Sequence, residues 1–372
     1  MLSPALLREG WILLWDGESF FGWERHGTHP KWEIEDGALK SESGDDSWMI
    51  TTSEFSNFAL RLEYRSPADG NSGVFLRASG KGEPALSGYE VQICDMHRNY
   101  PTGSLLNIKK ARKVLPDPDS WHTMEITAEL DHFLVRLDGI KILDAKDDKY
   151  LTGHIGFQFN RDHRIELRNI KLKPLGTKPL FNGVDLTGWT PVSRTNEASS
   201  AGWSVRGGMI HVAKGPGFLE TSELFRDFIL QMEIKTNPSP TAQNPSSGVF
   251  FRGEKGHPWS GYEAQISNQV RDGNPSDPTN FGTGGINEHQ PARRVVPPDG
   301  AFFSKTIHSQ GRHFAVWVNG IQVSDYTDLA PEGTDVSKNQ ARLTSGPIGL
   351  EAFDSNSNLD FRNIRIALLP ER

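Results

Sequence analysis

Ser87-Gly88-Tyr89-Glu90-Val91-Gln92-Ile93 is written a second time in this chain, as Ser260-Gly261-Tyr262-Glu263-Ala264-Gln265-Ile266. Glycine at the entry, followed by strict apolar–polar alternation, predicts a half-buried strand whose successive side chains face opposite ways. Tyr89, Val91 and Ile93 then share one face, and Glu90 and Gln92 the other. A solvent-facing side needs only generic polar residues. The same carboxylate and the same amide in both copies point to a face that lines a groove.

Working outward, the rest of the chain repeats in the same order. Leu14-Trp15-Asp16-Gly17 returns as Leu180-Phe181-Asn182-Gly183, each followed by Gly-Trp at Gly22-Trp23 and Gly188-Trp189. Ser72-Gly73-Val74-Phe75-Leu76-Arg77 matches Ser247-Gly248-Val249-Phe250-Phe251-Arg252, and the copies close with Arg168-Asn169-Ile170 and Arg362-Asn363-Ile364. Such a period is far too long for a solenoid, so each copy is expected to be a domain with its own core. The seam falls in Lys173-Pro174-Leu175-Gly176-Thr177-Lys178-Pro179, which sets the expected domains at 1–174 and 175–372.

Within each copy the pattern is nearly all strand. Phe58 to Tyr64 and Phe314 to Val318 alternate with period two, and Asp138-Gly139 and Asn319-Gly320 are two-residue hairpin signals. Helical periodicity is missing, while 37 Gly and 23 Pro suit short strands joined by turns. The expected fold is all-β, two tandem jelly-roll β-sandwiches. The second copy is longer, with extra residues at 237–245, 267–285 and 328–346. A net charge of −7 and the lack of a basic stripe argue against a nucleic-acid partner. No apolar run approaches a membrane span, and one cysteine, Cys94, rules out an intramolecular disulfide. Met1 to Arg8 has no signal-peptide pattern, so the expected location is the cytoplasm, or the periplasm or exterior if a leader has been removed.

The Leu-Phe-Asn-Gly-x-Asp-Leu-x-Gly-Trp opening at Leu180 to Trp189 resembles the start of the 3-keto-disaccharide hydrolase domain. The Ser-Gly-Val-Phe-x-Arg element, the Gly-Tyr-Glu-x-Gln-Ile strand, the Asn-Gly hairpin and Phe361-Arg362-Asn363-Ile364 match it in order. The resemblance implies a concanavalin A-like sandwich in each copy. It also implies cleavage of a glycosidic bond in a sugar already oxidised at carbon 3 by a separate oxidoreductase. A ketone there acidifies the hydrogen on carbon 2, so the site needs a base near carbon 2 and a cation, Arg or metal, facing the developing oxyanion. The Glu-x-Asp-x-x-Glu run of sandwich glucanases is not present. A non-catalytic, lectin-like carbohydrate binder is the alternative, as is a pair with one active and one degenerate copy.

The residues expected to carry the chemistry follow from the repeats and their differences. Glu90 and Glu263 are the first choices as base, metal ligand or sugar-hydroxyl acceptor, with Gln92 and Gln265 beside them as ligand-binding amides. Arg77 and Arg252, placed by alternation on the face of Phe75 and Phe250, are candidates for substrate or oxyanion binding, or for an ion pair with the glutamates. Arg112 and Arg293 come from matched loops that could reach a groove. His289 is a candidate base because its ordinary pKa lies near neutrality. His97 is named with it, and Glu90, Asp95 and His97 together offer ligands for a divalent metal of unassigned identity. No nucleotide cofactor is implied. Trp317 is a candidate sugar-stacking platform, while Cys94 reads as packing.

Overall fold

The computed structural model describes residues 1–29, 31–193, 201–238, 245–335 and 339–370. The expected insertions at 237–245 and 328–346 therefore lie partly outside the described residues. The chain forms two compact units, Leu13–Gly176 and Met1–Ile12 with Thr177–Arg372. Each is a β-sandwich of an eight-stranded and a five-stranded sheet, antiparallel throughout the paired strands.

The two alternating segments predicted from sequence are strands, Phe58–Arg65 and His313–Val318, and so are their counterparts in the other copy, Phe228–Thr236 and His132–Leu137. Their apolar faces meet between the sheets, where Leu60, Leu62, Phe133, Val135 and Phe157 are buried in the first domain. Leu230, Ile234, Phe251, Phe314 and Val316 are buried in the second. Both hairpins adopt the positive φ that their Asp-Gly and Asn-Gly sequences favour, at 48° and 78° in each copy.

The repeated opening motif is structural. Asp16 Oδ1 accepts from the backbone of Glu18 and Ser19, and Asn182 Oδ1 accepts from Val184 and Asp185. The indole N–H of Trp23 donates to Leu14 O at 2.8 Å, and that of Trp189 to Leu180 O at 3.0 Å. A buried indole must find such an acceptor, which accounts for Gly-Trp in both copies.

One boundary differs from the sequence reading. The first twelve residues, expected with the first domain, pack on the second. Ser3 caps the helix Pro4–Glu9, which ends at Gly10 in the left-handed region. Gln231 Nε2 donates to Gly10 O at 2.9 Å, and the Arg365 guanidinium reaches Arg8 O at 3.2 Å. Gln231 is buried on a sheet face and needs a partner once water is excluded, and the N-terminal segment supplies it.

In both domains the signature strand, Tyr89–Ile93 or Tyr262–Ile266, is the edge of the five-stranded sheet. A loop closes that edge by backbone pairing. Gln92 N bonds Ser104 O and Leu106 N bonds Glu90 O, while in the second domain Gln265 N bonds Gly285 O and Asn287 N bonds Glu263 O. The loop covers the open edge and brings its own side chains to the rim of the face.

Candidate functional site

The expected facing of the signature strand is observed. Tyr262 packs inward against Phe314 at 4.3 Å between ring centroids, and Tyr89 against Phe133 at 4.6 Å. Glu263 and Gln265 look the other way. The register sets Glu263 opposite Phe250 and Gln265 opposite Gly248 on the neighbouring strand. One strand further on, Phe250 pairs with Gly349. Two residues along that strand, Glu351 therefore lies on the same face.

Gly248 lacks a side chain for a reason other than backbone conformation. A Cβ there would collide with Oε1, Cγ and Cδ of Glu263, so the carboxylate lies flat over the glycine. The other oxygen, Oε2, accepts from Asn287 Nδ2 at 2.8 Å. Above this face opens a cavity of about 290 Å³, lined by Glu263, Gln265, Asn287, His289, Glu351 and Trp259 among others. Among the described residues no Lys or Arg lines it. Trp259 packs on Phe218, with centroids 5.5 Å apart, and forms one wall.

His289 stands at the rim with its ring stacked on Tyr326, and its Nδ1 is 3.2 Å from the Tyr326 hydroxyl. Burial holds its pKa below the ordinary histidine value, against the pull of Asp328 and Glu288. Beneath the strand, Lys305 enters from the other sheet, and its ammonium donates to Ala264 O at 2.7 Å and Gln265 O at 2.8 Å. It is fully buried, and desolvation pulls its pKa down to about 7 while the charge of Glu263 opposes that shift.

The first domain keeps the floor and loses the walls. Glu90 lies over Gly73 as Glu263 lies over Gly248. Burial, then the charge of Glu83, pushes its pKa up to about 7, and its carboxylate has no hydrogen-bond partner among the described residues. Leu105 pairs with Lys109 as Ile286 pairs with Gln290, which puts Leu106 and Ile108 where the second domain has Asn287 and His289. Phe157 pairs with Val74 as Leu350 pairs with Val249, so Gln158 takes the place of Glu351. Leu86, 76% exposed, precedes the signature where Trp259 stands in the second copy.

Several expected site residues lie elsewhere. Arg77 and Arg252 are buried beneath the sheets and do not reach the groove. At φ 52° and 57° both break the alternation that placed them with Phe75 and Phe250. Arg77 donates to the carbonyls of Ser56, Leu130 and Tyr150. Arg252 pairs with Asp227 at 2.8 Å, so neither arginine is the partner of Glu90 or Glu263. Arg112 is exposed on its loop, and Arg293 donates to Gln322 O at 2.8 Å; neither lines the cavity. Trp317 is 1% exposed within the eight-stranded sheet and is no platform.

The proposed metal ligands are not gathered. Asp95 turns to Thr102 and lines a small space with Tyr64 and His122, while His97 Nδ1 accepts from Tyr100 N at 2.8 Å. Among the described residues no group of three or more His, Cys, Asp or Glu is arranged to hold a metal ion.

Sequence reasoning missed Gly248, Trp259, Asn287 and Glu351. Gly248 was visible only as part of a repeat, because close approach of a carboxylate leaves no mark besides the glycine. The others differ between the copies, so repetition does not mark them.

A Bacteroides thetaiotaomicron 3-keto-disaccharide hydrolase is 36% identical over 81 residues, 19% of this chain and 28% of that protein. The chain thus spans about 28% of the length of this curated relative. Among solved structures, a Parabacteroides distasonis protein provisionally described as a glycosyl hydrolase aligns at 21% identity and TM-score 0.43, covering 47% of this chain and 98% of that one. The carbohydrate-binding module CBM66 of Bacillus subtilis aligns at 19% identity and TM-score 0.34, covering 41% and 95%. The 3-keto-alpha-glucoside-1,2-lyase-like domain matches twice, over residues 10–173 and 176–367. With both copies accounted for, the chain belongs to the 3-keto-alpha-glucoside-1,2-lyase-like family, as a tandem pair of its domains.

Proposed function

We propose that the second domain cleaves the glycosidic bond of 3-keto-glycosides, and that the first domain is a partner without the full catalytic set. The observation that carries this reading is the company kept by Glu263. His289, Glu351, Asn287 and Trp259 share its cavity, and at these four places the first copy has Ile108, Gln158, Leu106 and Leu86.

The chemistry follows from the ketone. His289 Nε2 removes the proton on carbon 2, and the electron pair moves into an enolate across carbons 2 and 3. Gln265 meets the enolate oxygen with its Nε2–H, since its Oε1 is already taken by Ile266 N at 3.1 Å. Collapse of the enolate forms the carbon 1–carbon 2 double bond and expels the aglycone oxygen, which Glu351 protonates. Water adds at carbon 1 and a proton returns to carbon 2, so the net reaction is hydrolysis. Glu263, held by Asn287, accepts from a sugar hydroxyl and fixes the ring over the floor. The carboxylates of Glu263, Glu288 and Glu351 in the lining favour uncharged glycosides over sulfated, phosphorylated or uronic ones. The substrate must come from a separate enzyme that oxidises the sugar at carbon 3.

The test is turnover of a 3-keto-glucoside and of its unoxidised parent in deuterated water. The proposal expects aglycone release from the keto sugar alone, with deuterium at carbon 2 of the product. Equal release from the parent, or release without deuterium at carbon 2, would overturn it. Binding of both sugars with no product would favour a lectin-like role.

A further inference from the structure

A histidine serves as a base at Nε2 only when its proton sits on Nδ1, and the structure contains a device for that. His289 Nδ1 lies 3.2 Å from the Tyr326 hydroxyl, with the two rings stacked at 5.2 Å and 28°. The same hydroxyl faces the Asp328 carboxylate, which adds to burial in keeping the phenol protonated. Asp328 is 1% exposed and accepts from the Tyr262 hydroxyl at 2.7 Å and Ala330 N at 2.8 Å. Tyr262 is the first residue of the signature strand, and its ring lies 5.7 Å from that of His289. Among the described residues the titratable and charged groups around the imidazole are Tyr326, Tyr262, Asp328 and Glu288, with Glu263 and Glu351 lining the same cavity.

We infer that Tyr326 and Asp328 are positioning residues that fix the tautomer of His289. A carboxylate can only accept, so Asp328 draws the Tyr326 O–H. The phenol oxygen then accepts the Nδ1–H of His289, and Nε2 is left with its lone pair toward the cavity. The comparison between copies agrees. The first domain retains the tyrosine–carboxylate pair, with Tyr89 donating to Asp147 at 2.6 Å. It has Ala145 and Ile108 where the second has Tyr326 and His289, as the matched pairs Phe133–Ala145 and Phe314–Tyr326 establish. The orienting tyrosine and the histidine are present together or not at all.

This inference rests on the cleavage reading for its use, but its readout does not depend on activity. In the full chain labelled with nitrogen-15 at histidine, the His289 signals are assigned by their loss in His289→Gln. The expected spectrum at neutral pH shows Nδ1 protonated and Nε2 bare. In Tyr326→Phe that preference is lost. The variant's kcat on a 3-keto-glucoside falls about ten-fold, the worth of one hydrogen bond. KM stays within about two-fold, and the acidic limb of the pH profile moves down because the imidazolium has lost an acceptor. An Nε2–H tautomer in the wild type, or a tautomer unmoved in Tyr326→Phe, would overturn the inference. The expected tautomer with no turnover of any keto sugar would uphold the orientation and refute the cleavage reading, so the two failures are separable.

Discussion

Replacing Gly248 by alanine tests the floor of the site with a single methyl group. The backbone at Gly248, like that at Gly73, is not left-handed, so alanine is not strained there by conformation. Its Cβ meets the Glu263 carboxylate instead. That side chain must swing off the sheet and give up the 2.8 Å hydrogen bond from Asn287. A hydrogen bond to a charged group contributes about 1.5–3 kcal/mol. If that orientation is needed in the transition state, kcat/KM falls by a factor of roughly 10 to 150. Crowding of a packed site costs about 1–3 kcal/mol of stability. For a domain of this size that is a drop in Tm of about 2–12 °C, small enough to assay the folded variant. Gly73→Ala is the internal control, because it displaces Glu90, whose carboxylate has no hydrogen bond to lose among the described residues. The expected result is a rate within about two-fold of wild type for Gly73→Ala and a large loss for Gly248→Ala. Equal losses, or a loss confined to Gly73→Ala, would refute the reasoning.

Three further outcomes follow from the same geometry. Because burial lowers the His289 pKa, kcat/KM should rise with pH along a limb centred below the ordinary value of about 6.5. His289→Gln should remove that limb and cost about 10²- to 10⁴-fold in rate, and a surviving limb would assign the base elsewhere. Trp259→Ala should raise KM about ten-fold while kcat changes little, as loss of a stacking wall predicts; an unchanged KM would remove Trp259 from the site. For Glu90 the folded pKa of about 7 is raised above the unfolded value. Its contribution is therefore fully present below the unfolded pKa and is lost as pH rises through about 7. Glu90→Gln should match wild type in stability near pH 4 and exceed it at pH 8 by up to about 3 kcal/mol, measured by denaturant unfolding. Equal stability at both pH values would mean that the carboxylate is solvated.

The sandwich fold was legible because its signals are local. Period-two alternation, Asp-Gly and Asn-Gly turns and indole-capping Gly-Trp pairs each act within a few residues. Glu263 and Gln265 were legible for the same reason, since a strand fixes which side chains share a face. Arg252 was misread because one residue at φ 57° reverses the alternation, and nothing in the sequence flags an arginine in that conformation. Trp317 was misread because period two tells which residues share a face but not which face is covered. His289 could be singled out, but its link to Tyr326 spans two segments 37 residues apart and exists only once the edge loop is folded. The N-terminal helix belongs to the second domain through Gln231 and Arg365, a pairing across more than 200 residues that no local pattern encodes.

The measurement closest to the central claim is the rate of 3-keto-glucoside cleavage by full-length Glu263→Gln and Glu90→Gln, side by side with wild type. The account predicts that Glu263→Gln loses at least about ten-fold in kcat/KM while Glu90→Gln keeps the wild-type rate. Loss confined to Glu90→Gln would place the chemistry in the first domain and contradict the account, and so would an unchanged rate in Glu263→Gln.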